Sequence, residues 1–362
     1  MSNSIDNMNR WALSVAPMMD WTDRRCRYFH RLVSPHARLY TEMVTAAALT
    51  RGDRMHLLQH NAEEHPVALQ LGGADPRELA QAARYGAEAG YDEINFNVGC
   101  PSDRVQSGRF GACLMREPEL VADCVQAMRE AVADVGRDVP VTVKCRIGVD
   151  DQDDDKDLFG FATRMLEAGV GVLIVHARKA WLQGLSPKQN REVPPLNYPR
   201  VYRLKREFPD LTVVINGGVD GRPAVDEHLR HVDGVMLGRL AYHDPYALAC
   251  IDAALHGGEP PAREVVLRRL RPYIEAERAR GVRLASITRH VLGLYHGQPG
   301  GKAFRRVLSE SAHAPNAGWE TVEAALQRVK SEVVPLRRTA KGNKEKEPSW
   351  AADGIYSLQR TK

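Results

Sequence analysis

Cys100 follows an alternating run, Ile94-Asn95-Phe96-Asn97-Val98, and precedes Pro101-Ser102, with Gly108 and Gly111 further on. Alternation is the period of a strand and small residues mark a loop, so Asn97 and Cys100 sit where a strand hands over to a loop. In α/β proteins such loops carry chemistry. Alone, the stretch reads more readily as a small buried cysteine with Asn97 as a turn former. Other strand-like runs, however, end the same way: in Pro17-Met18-Met19, Glu42, Gln70, Lys144 with Arg146, His176 with Arg178, Asn216-Gly217-Gly218 and Gly238-Arg239. Alternation puts Lys144 and Arg146 on one face, and likewise His176 and Arg178. So many polar ends are hard to explain as packing.

Gly217, Gly218 and Gly238 follow the seventh and eighth runs, where barrels commonly hold a phosphate on glycine amides, and Arg239 adds a charge-assisted partner. Lys144, His176, Gln70 and the Pro17-Met18-Met19 backbone suit an isoalloxazine ring, with Lys144 stabilising negative charge on its reduced form. A thiol with a reference pKa near ~8.5 is mostly protonated at neutral pH, so Cys100 can give a proton to carbon. Asn97 is placed to hold a substrate by paired hydrogen bonds.

These residues need a scaffold of strands ending on one side. Strand-like runs cover Leu13–Met18, Ala37–Met43, Val67–Leu71, Glu93–Val98, Val141–Ile147, Gly171–Ala177, Leu211–Asn216 and Gly234–Gly238. Helical periodicity covers Pro76–Ala89, Glu117–Val135, Leu158–Ala168, Pro199–Phe208, Ala224–His231 and Pro245–Leu255. Asp75 and Asp244 are N-caps ahead of Pro76 and Pro245; Gly90 and Gly169 are C-terminal stops. The alternation predicts an α/β fold, a (β/α)8 TIM barrel over residues 1–255, rather than an open doubly wound sheet, since no GxGxxG follows the first strand.

Residues 256–262, with Gly257, Gly258, Pro260 and Pro261, read as a linker. Arg263–Arg280, Leu284–Leu294, Lys302–Leu308 and Thr321–Val333 then read as helices with no strand among them, so a small all-helical C-terminal domain is expected over 263–338. From Arg263 to Lys341 there are 16 Lys and Arg against 7 Glu, a net of +9 within a chain whose total is +4. A basic helical domain on a mildly acidic barrel suggests a polyanionic partner, against the plainer reading of a solvated helical surface. Tyr273 and Tyr295 in these helices could stack on bases or belong to the core. The polar stretch 339–362 is expected to be a disordered tail. No apolar run is long enough to span a membrane, and the N-terminus carries no signal-peptide pattern. The six cysteines form no CxxC pair, which argues against a metal or a disulfide framework and for a reducing, cytoplasmic setting.

In order, APMMDWTDRRCRYFHR, YTEMVTAAAL, NFNVGCPSDRVQSGRFGACLM, VKCRIGVDD, HARKAWLQGLSPKQNREVPPL, INGGV, DGVMLGR and RHVLGLYHG resemble the tRNA-dihydrouridine synthases, and most closely their A subfamily. The likeness runs from about Leu13 to Leu308. It implies FMN on the barrel, NADPH as reductant, and a D-loop uridine of tRNA, at positions 20 and 20a, as substrate. Carried over, Cys100 matches the proton donor to C5 while flavin hydride goes to C6. Pro17, Met18, Met19, Gln70, Lys144, His176, Asn216, Gly217, Gly218, Gly238 and Arg239 match the flavin contacts. Asn97, Lys188, Arg191, Lys302 and Arg305 fall at tRNA contacts. No obligate protein partner is implied.

Two other classes compete. An FMN barrel reducing a free pyrimidine, as dihydroorotate dehydrogenases do, leaves the basic helices without a purpose. A tRNA-binding protein without chemistry leaves Cys100 and the flavin-like constellation without one.

Overall fold

The computed structural model describes residues 10–102, 105, 108–152 and 155–333. The expected tail, 339–362, and the last part of the helical region, 334–338, lie outside the described residues.

Eight parallel strands close a barrel in chain order: β1 Leu13–Val15, β2 Arg38–Thr45, β3 Val67–Gly72, β4 Glu93–Val98, β5 Val141–Arg146, β6 Val172–His176, β7 Thr212–Asn216 and β8 Gly234–Leu237. Closure rests on β1 pairing with β8, Ser14 opposite Met236 and Val15 opposite Leu237. That pairing excludes the open sheet. Each strand falls on one of the predicted runs, because β-rich runs bounded by turn residues are read reliably.

Alternation divides the apolar residues into two cores. Outward residues such as Leu39, Leu69, Leu71, Phe96, Leu173 and Val175 pack under the helices. Inside the barrel a smaller group, Ala16, Tyr40, Ala68, Val172, Ile174, Val214 and Met236, fills one side. The facing side, on β3 to β5, is polar, with Gln70, Asn95 and Thr142 buried.

Capping follows the sequence. Asp75 accepts from the Arg77 and Glu78 amides at 2.9 Å, opening the helix Pro76–Glu88, and Asp244 accepts from Ala247 at 3.2 Å, opening Pro245–Leu255. The helix Arg24–Val33, capped by Asp23, goes unpredicted although its pattern is amphipathic, because its buried face carries Arg27 and His30 beside Cys26, Phe29 and Val33. The expected helix over Leu284–Leu294 is helical only at Ala285–Thr288. Beyond it the chain runs in turns and passes so close to the barrel that a Cβ on Gly293 would collide with the His243 carbonyl.

The C-terminal helices Arg263–Ala279, Gly301–Ser311 and Trp319–Val333 lie against the barrel, and the outer core runs into them without a break. Buried Glu277 takes Arg24 at 2.6 Å, and Asp23 takes Arg289 at 2.8 Å and His290 at 3.1 Å. Tyr273 stacks on Tyr28 with centroids 4.0 Å apart, and Tyr295 packs on Phe304; both tyrosines are core residues rather than free platforms. No described helix is long and apolar enough to cross a membrane.

Candidate active site

The carboxyl ends of the strands bring the expected residues together around Cys100. The β4 strand ends at Val98, and the chain turns because Asn97 Oδ1 accepts the backbone N–H of Gly99 at 3.1 Å and of Cys100 at 3.0 Å. The Cys100 carbonyl accepts from Ala112 at 2.9 Å. Gly111, at φ +76°, makes this approach possible, since a Cβ there would sit 2.5 Å from the Cys100 oxygen. The half-buried Cys100 thiol lies 3.5 Å from the Ser102 hydroxyl. Asn97 is less free than expected. Its oxygen is committed to this turn and its Nδ2 donates to Gln70 Oε1 at 2.9 Å, which leaves one N–H for a substrate.

Beside the thiol stands a group of cations. Lys144 Nζ donates to Asn216 Oδ1 at 3.2 Å, and Asn216 Nδ2 donates to the Met236 carbonyl at 2.8 Å. Burial, reinforced by Arg146, pushes the Lys144 ammonium down to about 8. Arg146 turns its guanidinium to the Gly99 carbonyl at 3.1 Å and the Asn190 carbonyl at 2.9 Å, tying the Cys100 turn to the loop after β6. Burial holds this guanidinium at about 10, with Arg191 and Arg178 adding to the effect. His176 is pushed far below the usual imidazole range, first by burial and then by Arg146, Lys144, Arg178 and Arg191, so it is neutral. Its buried Nδ1 has no hydrogen-bond partner among the described residues.

Around the rim, Gly217 and Gly218 have φ of +108° and +69°, and a Cβ on Gly217 would crowd His176 Nε2 at 3.0 Å. Tyr198 donates to the Gly217 carbonyl at 3.0 Å. Gly238 opens the short helix Arg239–His243, and a Cβ there would meet nothing within 4 Å, so this backbone faces open space. Arg239 is not free as expected: its Nη1 donates to Glu192 at 2.7 Å. Met18 is half-buried, with its N–H on the Thr22 hydroxyl at 2.9 Å, and Pro17 and Met19 flank it, Met19 exposed. Lys188 and Arg191 lie on the loop after β6, where burial and Arg239 push the Arg191 guanidinium down. Lys302 and Arg305 stand apart, on the helix Gly301–Ser311.

Sequence reasoning places Arg146 and Arg178 at strand ends without giving them a role, and misses Glu192, Asn95 and Thr142. The alternation shared by Asn95 and Asn97 is the available signal for Asn95; a loop carboxylate such as Glu192 leaves none. Among the described residues, Glu192 lies near Arg178, Arg191 and Arg239, while Lys144 and Arg146 pair with no carboxylate. Lys144 and Arg146 are the buried members, held by an amide and by backbone carbonyls rather than by a carboxylate, an arrangement that a bound anion would compensate. Gly217, Gly218, Gly238 and Arg239 could hold a phosphate, and Lys144, His176 and Gln70 could meet a polar ring edge.

At the opposite end, His36, Asp252 and His256 are the group of described residues that comes nearest to a metal set. The two imidazoles stack with centroids 3.8 Å apart and planes at 19°; His36 Nδ1 lies 3.2 Å from Asp252 Oδ2, and His256 Nδ1 lies 2.9 Å from the Asp252 backbone carbonyl.

The dihydrouridine synthase (Dus) family model matches residues 14–331. A protein named tRNA-dihydrouridine(20/20a) synthase from Xanthomonas axonopodis pv. citri (strain 306) is 62% identical over 317 residues, covering 87% of this chain and 93% of its own length. One of the same name from Vibrio cholerae serotype O1 is 56% identical over 320 residues, covering 88% and 96%. The chain therefore belongs to the dihydrouridine synthase family.

Proposed function

We propose that this chain reduces a D-loop uridine of tRNA, at position 20 or 20a, to 5,6-dihydrouridine, using FMN as cofactor and NADPH as the source of electrons. The observation that carries the reading is the placement of Cys100 beside Lys144, Arg146 and Arg191 at the mouth of a barrel rich in uncompensated positive charge.

FMN would be held by Pro17, Met18, Met19, Gln70, Lys144, His176, Asn216, Gly217, Gly218, Gly238 and Arg239. When bound it supplies the hydride that goes to C6 of the uracil. The chain's own contribution is the proton and the positioning. Cys100 Sγ gives its proton to C5, so the C5–C6 double bond becomes single, and the thiolate left behind is stabilised by the neighbouring Lys144 and Arg146 before solvent reprotonates it. Neutral His176 can donate or accept one hydrogen bond without adding a charge. The remaining Asn97 N–H is available to the base.

A uridine in folded tRNA must leave its stack, at a cost of a few kcal/mol. Phosphate contacts from Lys188 and Arg191 on the barrel, and from Lys302 and Arg305 on the helical region proposed to grip the tRNA, offset it. The setting implied is the cytoplasm.

The purified protein should show flavin absorbance that NADPH bleaches and unmodified tRNA restores, with a gain of two hydrogens per reduced uridine by mass spectrometry. Cys100→Ala should keep the flavin bands and lose most product. A colourless protein, or a Cys100→Ala variant as active as the parent, would overturn the proposal.

A further inference from the structure

A chain of side-chain hydrogen bonds crosses the barrel interior from the Cys100 turn to the buried carboxylate of Glu93. Sheet register brings its members together: Gln70 lies opposite Asn95 on β3 and β4, and Asn95 opposite Thr142 on β4 and β5. The links run Asn97 to Gln70 at 2.9 Å, Gln70 to Asn95 at 2.7 Å, Asn95 to Thr142 at 2.8 Å and Thr142 to Glu93 at 2.5 Å.

The direction of every link is forced. The backbone N–H groups of Gly99 and Cys100 can only donate, so the Asn97 atom facing them is oxygen and its nitrogen faces Gln70. Gln70 must then meet Asn97 with oxygen and Asn95 with nitrogen, and Asn95 must meet Gln70 with oxygen and Thr142 with nitrogen. The Thr142 oxygen therefore accepts, and its own proton can go only to Glu93. Glu93 is built to accept. It also takes Tyr40 O–H and Trp11 Nε1–H, each at 2.7 Å, with the Arg38 guanidinium 3.4 Å away. Burial and Glu93 push the Tyr40 phenol well above its ordinary value, so it remains a donor.

We infer that Glu93, Thr142 and Asn95 are positioning residues: by taking the Thr142 proton at one end of the barrel, Glu93 locks the amide orientations that the Gly99 and Cys100 N–H groups require at the other, and so helps to hold the turn that carries Cys100. The functional weight of that turn rests on the reading of Cys100 as proton donor. Gln70 is left with one N–H and one lone pair for whatever sits on the barrel, in an orientation that cannot flip without leaving two donors or two acceptors face to face in a buried site.

The test uses the full chain as purified and reads hydrogen exchange in peptides spanning Asn97 to Ser102. Thr142→Val keeps the shape and removes the link; Thr142→Ser keeps the link. Exchange at Gly99 and Cys100 should quicken in the Val variant by roughly tenfold, the scale of one net hydrogen bond, and return to the parent rate in the Ser variant. Peptides from Pro245–Leu255 serve as the control for general loosening. If the Val variant exchanges faster everywhere, Asn95→Asp, which keeps size but removes the donor to Thr142, decides the matter. A rise confined to Gly99 and Cys100 supports the relay; no rise, or a uniform one in both variants, overturns it. Failure here would leave the proposed reaction standing, whereas full activity in Cys100→Ala would remove that reaction and leave the exchange result intact.

Discussion

Lys144 Nζ reaches across the barrel mouth to Asn216 Oδ1 at 3.2 Å, and no described carboxylate pairs with it. A buried ammonium held by a neutral amide is poised for an anion, and the empty protein bears the cost of burying it. Burial, with Arg146 behind it, lowers its pKa in the fold to about 8 from an ordinary 10.5.

Lys144→Met should therefore stabilise the flavin-free protein at pH 7 while weakening its hold on flavin. The sign follows from linkage. Between about pH 8 and 10.5 the unfolded chain binds the proton that the folded chain has released, so the parent gains stability as pH rises through that window. The Met variant has no such gain, and its advantage should shrink over the same range. Thermal melts of both proteins at pH 7, 9 and 10.5 check this; a constant difference would contradict it.

The Arg239–Glu192 pair, 2.7 Å apart and open to solvent on both sides, competes with the phosphate that Arg239 is proposed to bind. Exposed pairs are worth about 0.2–1 kcal/mol. Glu192→Gln should thus tighten flavin binding by up to about fivefold, and Arg239→Ala should loosen it. Flavin retained after dialysis measures both. Weaker retention in Glu192→Gln would place Arg239 elsewhere in function.

Strand positions and their terminal residues are legible in the sequence because a period of two and the turn residues after each run are local signals. The polar face of EINFNV, Glu93, Asn95 and Asn97, is legible from alternation, but the partner each meets on the neighbouring strands is not, because register is set only when the strands pair. Asn95 consequently reads as a strand residue rather than as a link to Thr142. Alternation places Arg146 beside Lys144, but its turn toward Gly99 and Asn190 depends on a loop without periodicity. A free Arg239 and a fully available Asn97 are expected from sequence for the same reason: Glu192 and the Gly99–Cys100 amides compete for them only once the chain is folded.

Gly111→Ala should disturb the thiol without touching it. At φ +76° a Cβ would meet the Cys100 carbonyl at 2.5 Å and collide with Val105 Cγ1, and the first of these is backbone that cannot swing aside. A cost of about 1–3 kcal/mol follows from the strained φ and the clash. Urea unfolding should register it, and product formation should fall with flavin content preserved. Parent-like stability and turnover would show that the turn tolerates displacement.

The basic helices differ in how far their charges are already paired. Arg268 is tied to Glu264 and Glu323, Arg271 to Glu275, and Arg280 to Glu277. Lys302 and Arg305, by contrast, carry no ion pair among the described residues and lie three apart on the helix Gly301–Ser311, so they share a face. Free cations on one face release counterions when they meet phosphate; paired ones must first give up a partner. The Lys302→Ala, Arg305→Ala double variant should therefore bind tRNA more weakly, with the slope of log K against log salt reduced by about 0.7–0.9 for each phosphate no longer neutralised. Arg268→Ala should change that slope little, and NADPH-driven flavin reduction should be normal in all three proteins. Titrations at several salt concentrations decide the point. Equal slopes for the parent and the double variant, or an equal fall in Arg268→Ala, would mean that the charge of this helix serves solubility and that the tRNA is held by the barrel alone.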